Sequence, residues 1–143
     1  MVCDMPKYTD SVLKHILSTT KTIAVVGISS RETQPSHTVA KYLLEQGYTV
    51  IPVNPQMQTV LGQKCYASLR DIPVRVDMVD CFRAIEHIPE LVKEAIEIGA
   101  QTVWMQLGLE DPESCALAES KGLRVIQNLC TKIEHQRLVS ERP

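Results

Sequence analysis

The residues best placed to do chemistry lie where Thr22-Ile23-Ala24-Val25-Val26 runs into Gly27-Ile28-Ser29-Ser30-Arg31. A β-branched apolar run of this length reads as a buried parallel strand, and the glycine with small hydroxyl residues after it reads as a tight turn. Pro35-Ser36, followed by Val39, Ala40, Leu43 and Leu44 at helical spacing, opens a helix. A strand, a glycine turn and a helix start together aim backbone N–H groups and a positive dipole end at one point, which suits a phosphate. Ser29, Ser30 and Ser36 add hydroxyl donors, and Arg31 can make a charge-assisted contact to an anion. Arg83, directly beyond the third apolar run, is a second such cation.

Nucleophilic or acid–base chemistry has thinner support. Cys130 falls at the end of the last apolar run, where a thiol could meet a ligand thiol, but reactivity there requires a lowered pKa. An inert, semi-buried cysteine is the commoner case. His15, His37, His87 and His135 show no metal-ligand spacing, and none has an evident orienting partner. His37 alone sits beside the phosphate turn. Trp104 and Met105 are read as core, leaving Gln106 and Gly108 just past them as the better ligand candidates.

A dinucleotide is the first ligand to test against this pattern. The G-x-G-x-x-G fingerprint needs glycines where Ser29 and Glu32 stand. The second strand should close on an acidic residue for a ribose, and it closes on Asn54-Pro55 instead. Both marks of an NAD site are missing.

The elements that position these residues follow from the periodicity. A covering helix, capped by Asp10 or Ser11, carries Val12, Leu13, Ile16 and Leu17. Strands are expected at Thr22–Val26, Tyr48–Val53, Val76–Phe82, Thr102–Met105 and Leu123–Ile126, with Asp77 and Asp80 at polar positions of the third. Helices follow Pro35, Ile88 and Pro112, and a last one spans about Lys132 to Val139. The segment from Gln56 to Lys64 has no period and reads as a loop before a short turn near Ala67–Asp71. Five strands alternating with helices, none joined by a two-residue hairpin, give an α/β fold: a three-layer, Rossmann-like domain with a five-stranded parallel sheet. The order expected from right-handed crossovers is 3-2-1-4-5, with the topological switch between the first and fourth strands.

Composition bounds the rest. At 143 residues, with 44% hydrophobic and 22% charged residues, the chain reads as one domain, residues 1–143 with a core of about 10–139. No apolar run approaches membrane-spanning length, and the N-terminus lacks the pattern of a signal peptide, so a cytoplasmic protein is expected. A net charge of −2 speaks against broad nucleic-acid binding. The five cysteines, odd in number and widely spaced, suggest neither a disulfide framework nor a zinc site.

Taken together, Val26-Gly27-Ile28-Ser29-Ser30, Val53-Asn54-Pro55, Asp80-Cys81-Phe82-Arg83, Trp104-Met105-Gln106-Leu107-Gly108 and Cys130 resemble, in order and spacing, the small single-domain CoA-binding proteins of bacteria and archaea. These are similar to the CoA-binding domain of the succinyl-CoA synthetase alpha subunit. The resemblance runs from about Leu13 to Leu138. It implies coenzyme A or acyl-CoA as ligand, with the turn at Gly27, Ile28, Ser29 and Ser30 facing the phosphates and Asn54-Pro55 and Phe82-Arg83 flanking the nucleotide. It implies no activity, because the synthetase carries its phosphorylated histidine in a further domain. Gln34 and Gln56 stand where family members commonly have basic residues, so either Arg31 compensates or CoA is bound more weakly. A binding module is therefore the leading expectation. The alternatives are an enzyme acting on CoA thioesters or CoA disulfides through Cys130, and an NAD(P)-dependent oxidoreductase.

Overall fold

The computed structural model describes residues 8–139. Five parallel strands form the sheet: β1 (Thr22–Val26), β2 (Thr49–Val53), β5 (Met78–Cys81), β6 (Thr102–Met105) and β7 (Arg124–Ile126). Between β2 and β5 lies a small antiparallel pair, β3 (Thr59–Val60) and β4 (Gln63–Lys64). The helices are α1 (Asp10–Thr19), α2 (Pro35–Glu45), α3 (Ile88–Glu97), α4 (Pro112–Ser120) and α5 (Thr131–Leu138).

The sheet divides two apolar layers, and alternation along β1 assigns each residue to one of them. Ile23 and Val25 pack with Leu13, Ile16 and Leu17 of α1 and Val39, Ala40 and Leu43 of α2. Ala24 and Val26 pack on the opposite face with Leu91, Val92 and Ala95 of α3 and Cys115 and Ala118 of α4. With both faces covered, the strand interiors are apolar apart from Asp80 of β5, which is why they read as nearly continuous runs rather than as alternating ones.

The parallel Rossmann-like sheet is as expected, but its order is β2-β1-β5-β6-β7. Counted along the chain this is 2-1-3-4-5, not 3-2-1-4-5. The cause is the connection from β2 to β5, whose Leu69 and Val76 are buried against the α3/α4 face, opposite the face that α2 covers. A right-handed crossover on that opposite face must travel back past β1. The third main strand therefore lies beside the first, and the switch falls between β1 and β5.

Three local departures have physical causes. The stretch 56–64 holds the β3–β4 hairpin, turning at Leu61 and Gly62, both at positive φ (55° and 73°). Leucine at such a position is uncommon, so Gly62 marked a loop there without marking a hairpin. Thr9, not Asp10 or Ser11, caps α1, its side chain accepting the Val12 N–H at 3.2 Å. Asp80 is not at a solvent-facing position but fully buried, because a central parallel strand has no solvent side. Asp77 is half-buried and accepts the N–H groups of Lys21 and Thr22, both at 3.0 Å. Cys65, Cys81 and Cys130 are buried free thiols. No helix among the described residues is long and apolar enough to cross a membrane.

Candidate functional site

Gly27 ends β1 at φ +87°, and its N–H donates to the Val53 carbonyl at 3.0 Å. A Cβ built on it would lie 2.7 Å from the Phe82 carbonyl oxygen and 3.0 Å from Cδ of Arg83. Glycine is required here twice over, by the dihedral and by the approach of the β5 terminus. The corrected strand order explains the approach, because Phe82 donates its N–H to Val26 across the switch point.

The loop that follows is closed by its own hydrogen bonds. Ser29 N–H donates to Ser36 Oγ at 2.9 Å, and Arg31 N–H donates to Ser29 Oγ at 3.0 Å. The Ser29 carbonyl meets His37 Nδ1 at 3.0 Å, which fixes the imidazole proton on Nδ1, since a carbonyl can only accept. Asn54 Nδ2 donates to the Ile28 carbonyl at 3.0 Å, while Asn54 Oδ1 accepts from Gln56 N–H. His37, at the start of α2, is thus buried and holds the loop. Ser30 and Arg31 lie on the loop's exposed side, and Pro55 is exposed beyond β2.

Two cavities flank this loop, and Arg83 lines both. The first, about 180 Å³, is lined by Val26, Val53 and Pro55 together with Ser68, His87 and Glu90. The second, about 420 Å³, is lined by Pro35, Val39 and Phe82 on one side and Gln106, Leu107 and Cys130 on the other. Eleven of the thirteen residues singled out from the sequence border the loop or these cavities; Gly108 and Asn54 act instead through hydrogen bonds that shape neighbouring loops. Gly108 N–H donates to Asn128 Oδ1 at 2.7 Å, tying the β6 end to the β7 end.

Beneath the second cavity lies a buried polar cluster that the sequence did not signal. Gln106 Nε2 donates to Asp80 Oδ1 at 2.5 Å and to Thr131 Oγ1 at 3.0 Å, and Thr131 Oγ1 donates to Asp80 Oδ2 at 3.0 Å. Asp80 is fully buried, and burial pushes its carboxyl up to about 7, against the pull of those two hydrogen bonds. Burial also raises the thiols of Cys81 and Cys130. Cys130 precedes α5 as its capping residue and is 9% exposed. Trp104 and Met105 are core, and the Trp104 indole N–H anchors the loop before Cys130 by donating to the Leu129 carbonyl at 2.8 Å. His135, also unremarkable in sequence, is buried with Nδ1 2.7 Å from the Tyr42 hydroxyl, and burial lowers its pKa. Among the described residues no group of three His, Cys, Asp or Glu side chains forms a metal site.

The profile of a family described as a CoA binding domain matches residues 21–136. The chain belongs to that family. The match spans every strand-end segment of this CoA-binding domain, from the residue before β1 into α5. The chain is similar to the uncharacterized protein YneT of Bacillus subtilis strain 168, with 41% identity over 123 residues that cover 86% of this chain and 91% of YneT. It is 30% identical over 122 residues to the ADP-forming acetate–CoA ligase I of Archaeoglobus fulgidus, where the match covers 77% of this chain and 18% of the ligase. A solved hypothetical protein from Pyrococcus horikoshii OT3 has a TM-score of 0.90 at 41% identity, with 93% of this chain and 94% of that one covered.

Proposed function

We propose that this chain binds coenzyme A or an acyl-CoA across the carboxyl ends of β1, β2, β5 and β6, as a binding module. The carrying observation is Arg83, a cation between two cavities and beside a pre-closed glycine loop. A long ligand with an anionic middle and two unlike ends fits such a site: the pyrophosphate over Gly27, Ile28, Ser29 and Ser30, the adenosine end toward Asn54-Pro55 and the smaller cavity, the pantetheine end toward Phe82 and Cys130. Ser29 and Ser36 each accept a backbone N–H inside the loop, so each hydroxyl proton points to a further acceptor. Arg31 and Arg83 supply charge, and the start of α2 adds its dipole. Gln106 and Gly108 shape the far wall. Family membership supports the ligand class.

A catalytic role for Cys130 draws less support. A raised thiol pKa leaves little thiolate at neutral pH, and the thiolate is the attacking species. An NAD(P) site lacks both its second and third glycines and its acidic strand end.

Isothermal titration calorimetry and thermal melts with CoA and with NAD test the reading. Ligand at a hundredfold excess over Kd stabilises the native state by ~2.7 kcal/mol, so CoA raises the melting midpoint. No shift at millimolar CoA, or a larger shift with NAD, overturns it.

A further inference from the structure

The cavity between α2 and the β6 terminus is more than a bare thiol requires. Its volume is about 420 Å³, and its walls are Pro35, Val39, Phe82, Leu107, Leu109 and Cys130. The polar side chains lining it are Arg83 and Gln106. Gln106 offers no side-chain N–H to this space, because both Nε2 hydrogens are directed down to Asp80 and Thr131. Arg83 stands at the border with the smaller cavity. Apart from Arg83 and Gln106, what faces the interior is hydrocarbon and the Cys130 thiol. Leu107 is 61% exposed at the rim, where it extends the apolar wall toward solvent.

We propose that this chamber receives a short aliphatic acyl chain, making the physiological ligand a fatty acyl-CoA thioester of about four carbons rather than free CoA. The proposal rests on the CoA reading above and adds the class of acyl group. Its physical basis is transfer of methylenes from water to an apolar wall, at ~0.8 kcal/mol per CH₂. Each added methylene then tightens binding about fourfold until the chamber is filled. With Arg83 engaged by the pyrophosphate, a chain ending in a carboxylate gains nothing comparable, since desolvating the charge against Val39, Leu107 and Leu109 opposes entry.

Calorimetric titrations of the full chain with CoA, acetyl-CoA, butyryl-CoA and succinyl-CoA decide the matter, with Leu107→Asp as the companion variant. Because Leu107 is exposed, the substitution leaves the core intact. Butyryl-CoA is expected to bind on the order of tenfold more tightly than acetyl-CoA, with succinyl-CoA no tighter than CoA. Leu107→Asp is expected to erase that preference, lowering affinity for butyryl-CoA by a larger factor than for free CoA. Equal affinities across the series, tightest binding by succinyl-CoA, or a butyryl preference that survives Leu107→Asp each overturn the proposal while leaving CoA binding standing. Failure of every CoA species to bind overturns the underlying CoA reading, and this proposal with it.

Discussion

The two sides of the proposed site are built in opposite ways. On the β1 side, the loop from Gly27 to Ser36 is held by main-chain dihedrals and by short-range contacts such as Ser29 to Ser36, and much of it faces solvent. On the β6 side, Gln106 and Cys130 rest on a sealed side-chain cluster of Asp80, Gln106 and Thr131, drawn from three distant segments. The first side is rigid because of what the backbone must do there. The second is rigid only while a buried carboxylate keeps its partners. Substitutions on the two sides should therefore fail differently, one sterically and one through protonation.

The largest effect is expected at Gly27. Gly27 and Gly108 have nearly the same φ, +87° and +89°, but a Cβ at Gly27 meets the Phe82 carbonyl at 2.7 Å, whereas one at Gly108 meets nothing within 4 Å. Gly27→Ala should cost roughly 2–5 kcal/mol, from left-handed strain plus overpacking, and Gly108→Ala only about 1–2 kcal/mol from strain alone. Urea denaturation of both variants measures the difference. Gly27→Val should also abolish CoA binding. Equal losses at the two glycines would show that the approach of Phe82 does not constrain the turn.

Protonation is the test of the other side. The carboxyl of Asp80 is raised in the folded state to about 7 from an ordinary value near 3.8. A raised carboxyl means that the native state holds its proton more tightly than the unfolded chain does. Its contribution to stability is thus fully present below the unfolded value and lost as pH rises through the folded one, at up to ~1.4 kcal/mol per pH unit between those limits. Asp80→Asn keeps the shape and removes the titration. The stability of wild type minus that of Asp80→Asn should fall from pH 4 to pH 7 and level off above it, as followed by denaturation at each pH. A flat difference would mean that Asp80 is charged throughout and that its two hydrogen bonds outweigh burial.

This contrast also explains what the sequence made legible. Gly27, the serines after it and Asn54-Pro55 were readable because turn geometry restricts residue type locally, and strand ends follow from apolar runs. The strand order was not, since handedness permits either side for the third main strand and the deciding contacts, those of Leu69 and Val76, come from a segment without period. Asp80 and Thr131 were misread or passed over for the same reason: their partners are 25 to 51 residues away in sequence. The burial of His37 and His135 was not legible because a helix position alone does not tell which layer covers it. Their burial depends on Ser29 and Tyr42 arriving from elsewhere.

A smaller effect is expected where the β1 loop borrows support from β2. Asn54→Ala removes the donor to the Ile28 carbonyl and the acceptor for Gln56 N–H. Each is a partly exposed bond that water can replace, so the loss should be about 1–2 kcal/mol. The more telling readout is affinity. If the loop is pre-closed for a pyrophosphate, freeing Ile28 weakens CoA several-fold by adding an ordering cost to binding. Unchanged affinity in Asn54→Ala would mean that the loop needs no second strand to hold it.

The smallest effect is expected at Cys130, and its smallness is informative. The thiol lines the larger cavity but is 9% exposed, and burial raises its pKa. As a wall atom it is replaceable by a hydroxyl of similar size, so Cys130→Ser should change the equilibrium Kd for CoA by less than about threefold, that is, by under 1 kcal/mol. As a nucleophile it is not replaceable. Incubation of wild type with CoA disulfide would then yield a mixed disulfide, Cys130 sulfur joined to CoA sulfur with one CoA thiolate released. Intact-mass spectrometry reads that adduct directly, and on the structure's terms wild type and Cys130→Ser should both remain unmodified on the time scale of binding. An adduct confined to wild type would turn the β6 side from a passive wall into a reactive one. The buried Asp80 carboxyl, which acts on the Cys130 thiol by raising it further when charged, would then become a control on the thiol's reactivity.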